Sequence, residues 1–402
     1  MLSIKPVLSS LLRAKSGPFF LLVQIILSVA IVANASFIVS ERLALMQRPS
    51  GMVEDEVLTF RVYNFDPSVD KRMQNTQDQL IVRNLPGVLD ITSTNMFPLS
   101  DSGWSDVYAE EPDKEDSKRT PGFSFYLGGE HMLNTLGLTL VEGRNFYPEE
   151  IKSELTAQGQ SAIVSLALAR KHWGQESPVG KTMYQKDTVI KIIGVVEQMQ
   201  GAWVDDKNFE YSVIQGVEYG GTSSSASYML RAKPQDMMRL KEEIPKALHA
   251  ENPNRVIGSF VTLSEHRKRT YSNHELMASL LSLMIILLLL ITSLGLTGMV
   301  MFNIQRRTKQ IGTRRALGAR KIDIVQYFLT ENYVLCAVGG FLGFFAALHL
   351  GQQLMSFYSL PKLAWQYPLI TVLCLFAVTT MAVIFPARRA ADIPPSLATR
   401  SV

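Results

Sequence analysis

The chain has little of the chemistry that marks disulfide-bonded, metal-binding or catalytic domains. It holds two cysteines among 402 residues, Cys336 and Cys374, and both lie in apolar stretches, where cysteine acts as a small packing residue. Its six histidines show neither His-x₃-His nor HExxH spacing, so no metal site is predicted. A nucleophile motif such as G-x-S-x-G is absent as well. Sequence motifs therefore single out no catalytic residue, and they leave open a Ser/His/Asp arrangement that forms only in three dimensions.

A phosphate-binding loop is also lacking, although residues 174–182 resemble one. A P-loop has four residues between its glycines, follows a strand and precedes a helix, so that its backbone N–H groups curl around the phosphates. Here five residues separate Gly174 from Gly180, Pro178 removes one donor, and the preceding residues have a helical pattern. We therefore expect this chain to bind no nucleotide and no other cofactor.

Long apolar runs are what the chain has in abundance. Residues 18–39, 276–302 and 367–385 each approach or exceed the roughly 20 residues that cross a bilayer core. A fourth run, 333–350, is shorter, but its helix is predicted to begin near Ile322. Four transmembrane α-helices are therefore predicted. The first is expected to be retained, because its apolar run is longer than that of a cleaved signal peptide.

Charge asymmetry orients these helices. Segments 1–17, 303–323 and 386–402 hold three, seven and three basic residues against none, one and one acidic residue. The positive-inside rule therefore places both termini and the middle loop in the cytoplasm. The segment between helices 1 and 2 is then extracytoplasmic.

This extracytoplasmic segment, residues 49–263, is predicted to be a large α+β domain. Two β-α-β units flank an insertion at about 122–219, which itself contains predicted strands at 161–165 and 189–196 around a helix at 166–173. The first unit is predicted at 57–63, 69–85 and 88–95, and the second at 226–231, 234–250 and 256–263.

The transmembrane helices have predicted extensions and loops. Helix 1 with a stalk is expected at 18–48, and helix 2 with its stalk at 264–302. Ser264 is the predicted N-cap of a helix that runs without glycine or proline into the membrane, on the order of 60 Å in all. A cytoplasmic loop at 303–323, helix 3 at 324–353, helix 4 at 367–385 and a tail at 386–402 complete the chain.

The loop at 303–323 is the candidate functional segment. Ile311, Ala316 and Leu317 are interpreted as sharing one face of a short amphipathic helix, and Gly318 as its C-terminal stop. The simpler alternative is an ordinary basic cytoplasmic loop that contacts anionic lipid.

Two further features lie in helix 3. Gly339 and Gly343 form a GxxxG pattern that lets another helix approach closely, either within this chain or in a dimer. Glu331 is a carboxylate at the membrane edge and is a functional candidate for that reason.

Four segments resemble the MacB/FtsX-type permeases of ABC transporters. Residues 306–324 are similar to the basic coupling segment between the second and third spans of that family, and 386–391 to its ending after the last span. Residues 137–146 and 177–181 resemble parts of the MacB-like periplasmic core domain. Two departures concern the ATPase contact: Gln310 stands where an acidic residue is usual, and Thr313 where an apolar one is usual.

The resemblance implies a non-catalytic, multi-pass permease of the bacterial inner membrane with its large domain in the periplasm. Its implied partners are a cytoplasmic dimer of ABC ATP-binding subunits, which would bind ATP and Mg²⁺, and a second permease subunit, identical or different. Membrane lipid is also expected as a partner, and nucleic acid is not. With no ATPase domain among these residues, hydrolysis is expected on a separate chain. The implied ATPase-coupling residues are Ile311, Arg314, Arg315, Ala316, Leu317 and Gly318.

The favoured function is efflux or export, with a periplasmic adaptor and an outer-membrane channel as further partners. One alternative is a transmembrane transducer that regulates a periplasmic hydrolase or an envelope stress response. Another is a lipoprotein-release permease. All three couple a cytoplasmic ATPase to a periplasmic event.

Overall fold

The computed structural model describes residues 16–112, 116–220, 224–358 and 362–393. Most of the predicted N-terminal segment 1–17 and the end of the tail 386–402 therefore lie outside the described residues. The chain divides into two compact units: an outer unit, Gln47–Asn273, and a membrane unit made of the residues up to Met46 and those from His274 onward.

The elements follow in chain order. They are α1 (Ser16–Met46), β1 (Val57–Tyr63), α2 (Lys71–Arg83), β2 (Val88–Thr94), β3 (Ser105–Asp106), β4 (Phe123–Gly128), α3 (Met132–Leu136), β5 (Leu140–Gly143), β6 (Gln160–Ser165), α4 (Leu166–Trp173), β7 (Thr182–Gln185), β8 (Thr188–Val196), β9 (Ser212–Gly216), β10 (Ser225–Ala232), α5 (Met237–Glu251), β11 (Val256–Ile257), β12 (Val261–Thr262), α6 (Leu263–Thr270), α7 (Ser272–Arg306), α8 (Thr308–Ala316), α9 (Lys321–Tyr358) and α10 (Gln366–Ala391).

The first sheet of the outer unit is built from the two predicted β-α-β units. Its strand order is β11-β1-β10-β2, with β12 also paired to β1, and every pairing is antiparallel. Strand β10 thus lies between the two strands of the first β-α-β unit. The two β-α-β units therefore share one sheet, although about 130 residues separate them in sequence. Helices α2 and α5 cover the sheet around a core that includes Phe60, Leu230 and Leu240.

The second sheet carries the insertion. Its order is β3-β4-β9-β6-β8-β5, with β7 paired to β8, and β4/β9 and β6/β8 are parallel pairs within a mixed sheet. All six residues of β4 and of β6 are buried. Asn95, just after β2, accepts from Leu127 N–H at 2.8 Å and donates to Phe125 O at 2.9 Å, which ties the first sheet to the second.

The start of α6 differs from the prediction. Thr262, not Ser264, is the N-cap: its side chain accepts from Glu265 N–H, and the Glu265 side chain reaches back to the Thr262 N–H as a capping box. The predicted uninterrupted helix is also wrong, because Tyr271 separates α6 from α7. Tyr271 is buried and its hydroxyl accepts from Gln200 Nε2 at 3.0 Å, so a tertiary contact holds the turn without glycine or proline.

The membrane unit confirms four candidate membrane-spanning helices, at Gly17–Met46, Ser272–Arg306, Lys321–Leu354 and Gln366–Ala391. The four differ in how far the unit itself covers them. Within the most apolar stretch of each, 56% is buried for the first helix but 11% for the second. α7 therefore presents most of its apolar surface outside this chain's own packing.

Small residues on α9 receive α1. A Cβ on Gly339 would lie 2.5 Å from Ile25 Cγ2, and one on Gly343 would lie 2.8 Å from Val29 Cβ. The GxxxG pattern thus forms a contact within the chain, which is one of the two alternatives that the sequence left open. Ser28 and Thr292 add a buried hydroxyl contact of 2.8 Å between α1 and α7.

Candidate functional site

The basic loop folds into α8, a nine-residue helix that Arg307 alone separates from α7. Its C-terminus has the backbone geometry of a Schellman motif. Gly318 N–H donates to Arg315 O at 3.2 Å and Ala319 N–H to Arg314 O at 3.0 Å, while Gly318 adopts φ +96°. Gly318 is thus the predicted stop, and its left-handed conformation is one that residues with a side chain rarely adopt.

One face of α8 packs against the membrane unit. Ile311 is 5% exposed and belongs to an apolar cluster contributed by α7, α9 and α10. The prediction that Ile311, Ala316 and Leu317 share a face is wrong: at 3.6 residues per turn, Ala316 and Leu317 lie about 140° and 120° away from Ile311. The other buried members of the cluster are Val300, Ile324, Phe328, Val383, Ala387, Ala390 and Ala391.

The opposite face of α8 is open. Lys309, Thr313, Ala316 and Leu317 follow the i, i+4, i+7, i+8 spacing of one helical face, and all four are exposed. Leu317 is 84% exposed, so its side chain gains almost no burial from this chain's own packing. We refer to these four residues as the outward face of α8.

The two predicted arginines point to different partners. The Arg314 guanidinium lies 4.9 Å from the centre of the Tyr327 ring on α9, a cation–π contact. Arg315 Nη1 donates to Ala319 O at 3.0 Å, next to the Schellman turn. Both arginines therefore brace α8 and its exit, in addition to any contact that they make with a partner.

An ion pair between the half-buried Arg307 and the buried Glu331 links the start of α8 to α9. Arg307 donates from Nη1 and Nη2 to the two carboxylate oxygens of Glu331, at 3.0 and 3.3 Å, and from Nη1 to the Tyr327 hydroxyl at 3.0 Å. The Glu331 side chain is 3% exposed. Sequence reasoning singled out Glu331 but missed Arg307 and Tyr327. The i, i+4 spacing of Tyr327 and Glu331 was the available signal, because it places both on one face of α9.

The glycine-rich stretch of the outer unit does not form a phosphate-binding loop. Residues 174–182 run from helix α4 into strand β7, which reverses the order around a P-loop, and Lys181 is paired with Glu176. Residues 174–182 therefore lack the strand-then-helix order that a phosphate-binding loop requires. Among the described residues, no group of three or more histidine, cysteine, aspartate or glutamate side chains is arranged to hold a metal ion.

Two family profiles match this chain. That of the MacB-like periplasmic core domain matches residues 22–247, more than half of the chain, and that of the FtsX-like permease C-terminal region matches residues 282–395. The second match contains all of α8, α9 and α10 and most of α7.

Curated relatives match more than half of this chain and are themselves longer. The macrolide export ATP-binding/permease protein MacB of Chromobacterium violaceum is 26% identical over 285 residues, which are 66% of this chain and 42% of that protein. MacB of Bradyrhizobium diazoefficiens is 26% identical over 232 residues, 56% of this chain and 35% of that protein. The chain thus spans about two fifths of the length of these relatives.

The solved periplasmic region of MacB from Actinobacillus actinomycetemcomitans is 15% identical, with a TM-score of 0.33, and the match covers 57% of this chain and 98% of that one. The two family profiles, the four spans and the α+β unit between the first two spans agree with one another. The chain belongs to the MacB/FtsX-type permeases of ABC transporters, and it is a multi-pass protein of the inner membrane with a periplasmic domain.

Proposed function

We propose that this permease uses the outward face of α8 to receive the movement of an ABC ATP-binding subunit and passes it to the periplasmic unit. ATP and Mg²⁺ would be bound and hydrolysed by that subunit, and this chain supplies the mechanical element. The assembly would contain two permease subunits over a dimer of ATP-binding subunits.

The observation that carries the proposal is the division of α8 into two faces. Ile311 anchors the helix in the membrane unit, while Leu317 stands 84% exposed among basic residues. An exposed leucine beside cationic side chains suits a protein groove with an acidic rim, because burial of the leucine supplies affinity and charge supplies orientation. A lipid surface would attract the basic residues alike, at about 1 kcal/mol each, without requiring one particular leucine.

We propose that the ATP hydrolysis coupled through α8 drives export. It is supported by the relatives, which are named as macrolide exporters. A periplasmic adaptor and an outer-membrane channel would then continue the route. The transducer and the lipoprotein-release alternatives share the α8 contact and differ in what the periplasmic unit engages, and no described feature favours either.

Co-purification of the ATP-binding subunit tests the α8 contact. We expect Leu317→Ala to reduce the retained subunit about tenfold, as the loss of roughly 1.5 kcal/mol of apolar burial implies. Lys309→Gln on the same face serves as the matched charge control and should reduce it less than threefold. Equal retention in both variants, with insertion unchanged, would reduce α8 to a lipid anchor.

Export itself is tested in cells. Co-expression of this chain with its ATP-binding subunit should lower the accumulation of a fluorescent macrolide, and Leu317→Ala should restore accumulation. If accumulation is unchanged although the subunit co-purifies, the coupling proposal stands and macrolide export does not.

A further inference from the structure

The ion pair between Arg307 and Glu331 lies at the junction of α7 and α8. Arg307 is the single residue between α7 and α8, and its backbone, at φ −107° and ψ 11°, departs from helical values. Its side chain contacts Glu331 on α9, which lies 24 positions later in the sequence. One guanidinium thus connects the end of α7, the start of α8 and the side of α9.

The stability of the unit does not by itself account for this pair. Removing a carboxylate from water is costly, and replacing a buried ion pair by apolar residues of similar size is often neutral or stabilising. What the pair supplies is direction: a planar guanidinium that meets both carboxylate oxygens fixes distance and angle together. The Tyr327 hydroxyl accepts a third hydrogen bond from the same group, at 3.0 Å.

We propose that Arg307 and Glu331 are positioning residues that hold α8 in a single orientation on the membrane unit. Ile311 is a second point of attachment, beside the contact between Arg314 and Tyr327, and a short helix that is held at one point alone is free to turn. The value of this orientation for coupling rests on the proposed function. The orientation itself is a property of this chain alone.

The test measures the orientation without any partner. Spin labels are placed at Thr313 on α8 and Arg388 on α10, both exposed, in a full-length chain with Cys336 and Cys374 replaced by alanine. Pulsed electron resonance in lipid nanodiscs should give one narrow distance distribution for the parent. We expect Glu331→Gln and Arg307→Lys to broaden it at least twofold, because each loses the two-pronged contact.

Two further variants separate positioning from folding. Asp392→Asn breaks the exposed Lys321–Asp392 pair, at 2.5 Å, on the same side of the unit and should leave the distribution narrow. Arg307→Met combined with Glu331→Leu should keep the thermal unfolding midpoint near that of the parent but still broaden the distribution. A narrow distribution in Glu331→Gln and in this double variant would overturn the proposal.

Coupling is measured separately in the assembled transporter. If α8 presents the outward face in the competent orientation only part of the time, the apparent affinity for the ATP-binding subunit falls by that fraction. We expect Glu331→Gln to weaken retention about three- to tenfold, with Leu317 still in place. Failure of the parent chain to retain the subunit would contradict the proposed function, while the distance measurement would still decide the role of the pair.

Discussion

The outer unit and the membrane unit each contain an arginine paired with a buried carboxylate, and the two pairs are built differently. In the outer unit, Arg255 and Asp78 have side chains that are 0% and 3% exposed. Arg255 also donates to Leu248 O and to Asn252 O, and Tyr228 donates to Asp78 at 3.2 Å. In the membrane unit, the Arg307 side chain is 20% exposed, and its partners lie on α9.

The difference shows what each pair does. Arg255 is enclosed by one continuous core. Its hydrogen bonds connect the end of α5 to Asp78 on α2, and Asp78 in turn accepts from Tyr228 on β10, so the loss of Arg255 is a loss of folding free energy. Arg307 lies at the boundary between three helices and is partly open to solvent, so its loss changes where α8 points. Similar chemistry thus stabilises one unit and orients an element of the other.

The largest effect is expected at the enclosed pair. Asp78→Ala leaves the Arg255 guanidinium buried without its carboxylate, which costs about 3–5 kcal/mol of folding free energy. Denaturant unfolding of the full chain in detergent, followed by tryptophan fluorescence, measures it, since three of the four tryptophans, Trp104, Trp173 and Trp203, lie in the outer unit. A cost below about 1 kcal/mol would make the two pairs alike and remove the comparison.

The next effect concerns the inner face of α8. Ile311→Ala should destabilise the membrane unit by about 2–4 kcal/mol, because a buried side chain is truncated within a packed cluster. Leu317→Ala is the matched control and should change the unfolding free energy by less than about 0.5 kcal/mol, because the side chain is already exposed. Thermal unfolding in detergent compares them, and equal destabilisation would contradict the two-faced description of α8.

The pH dependence of unfolding tests whether the core of the outer unit encloses His266. Burial, with Arg269 and Arg61 nearby, lowers the pKa of His266 to about 4 from the usual 6.5. Thr59 Oγ1 donates to Val261 O, so the neutral His266 donates from Nε2 to Thr59 Oγ1 at 2.9 Å.

The sign follows from this depressed pKa. As the pH falls below about 6.5, the unfolded chain binds a proton that the folded chain excludes. The stability contributed by neutral His266 is therefore present above that pH and is lost as the pH falls toward 4. Unfolding measured between pH 7 and pH 4.5 should show a weaker decline for His266→Gln, and an unchanged slope would contradict the enclosed histidine.

The smallest effect is expected at the C-terminus of α8. Gly318 has φ +96°, and the position that a Cβ would occupy is open. Gly318→Ala therefore meets no steric contact, and its cost comes only from the left-handed backbone. We expect a loss of about 1–2 kcal/mol, within the membrane unit alone. Gly298→Ala is the control, because Gly298 lies within α7, also in open space, and alanine favours the helix there.

Sequence patterns predicted the features that depend on neighbouring residues. The four spans follow from apolar runs, and β1, α2, β2, β10 and α5 follow from alternation and turn signals. The parallel pairing of β4 with β9 was not predicted, because it joins residues about 90 positions apart and no local pattern encodes the partner. The turn at Tyr271 was missed for the same reason, since Gln200 holds it from a distance.

At the candidate site, the sequence predicted the existence of α8 and its stop at Gly318. It did not predict which side of α8 faces inward, because the basic residues around the helix mask its apolar stripe. Ile311 was grouped with Leu317 as a coupling residue, whereas it is buried in the membrane unit. The role of Arg307 depends on α9 folding back so that Glu331 meets it, and this is a tertiary contact. Seven similar basic residues in one loop gave no means of distinguishing Arg307 beforehand.

Site-specific photo-cross-linking tests whether Leu317 faces the ATP-binding subunit while Ile311 faces the membrane unit. A benzophenone amino acid is placed at Leu317 or, in a second variant, at Ile311, and the chain is irradiated with the ATP-binding subunit present. We predict a cross-link to that subunit from position 317 and cross-links only within the chain from position 311. Cross-linking of the subunit from position 311, or its absence from position 317 while the assembly is intact, would contradict the proposed two faces of α8.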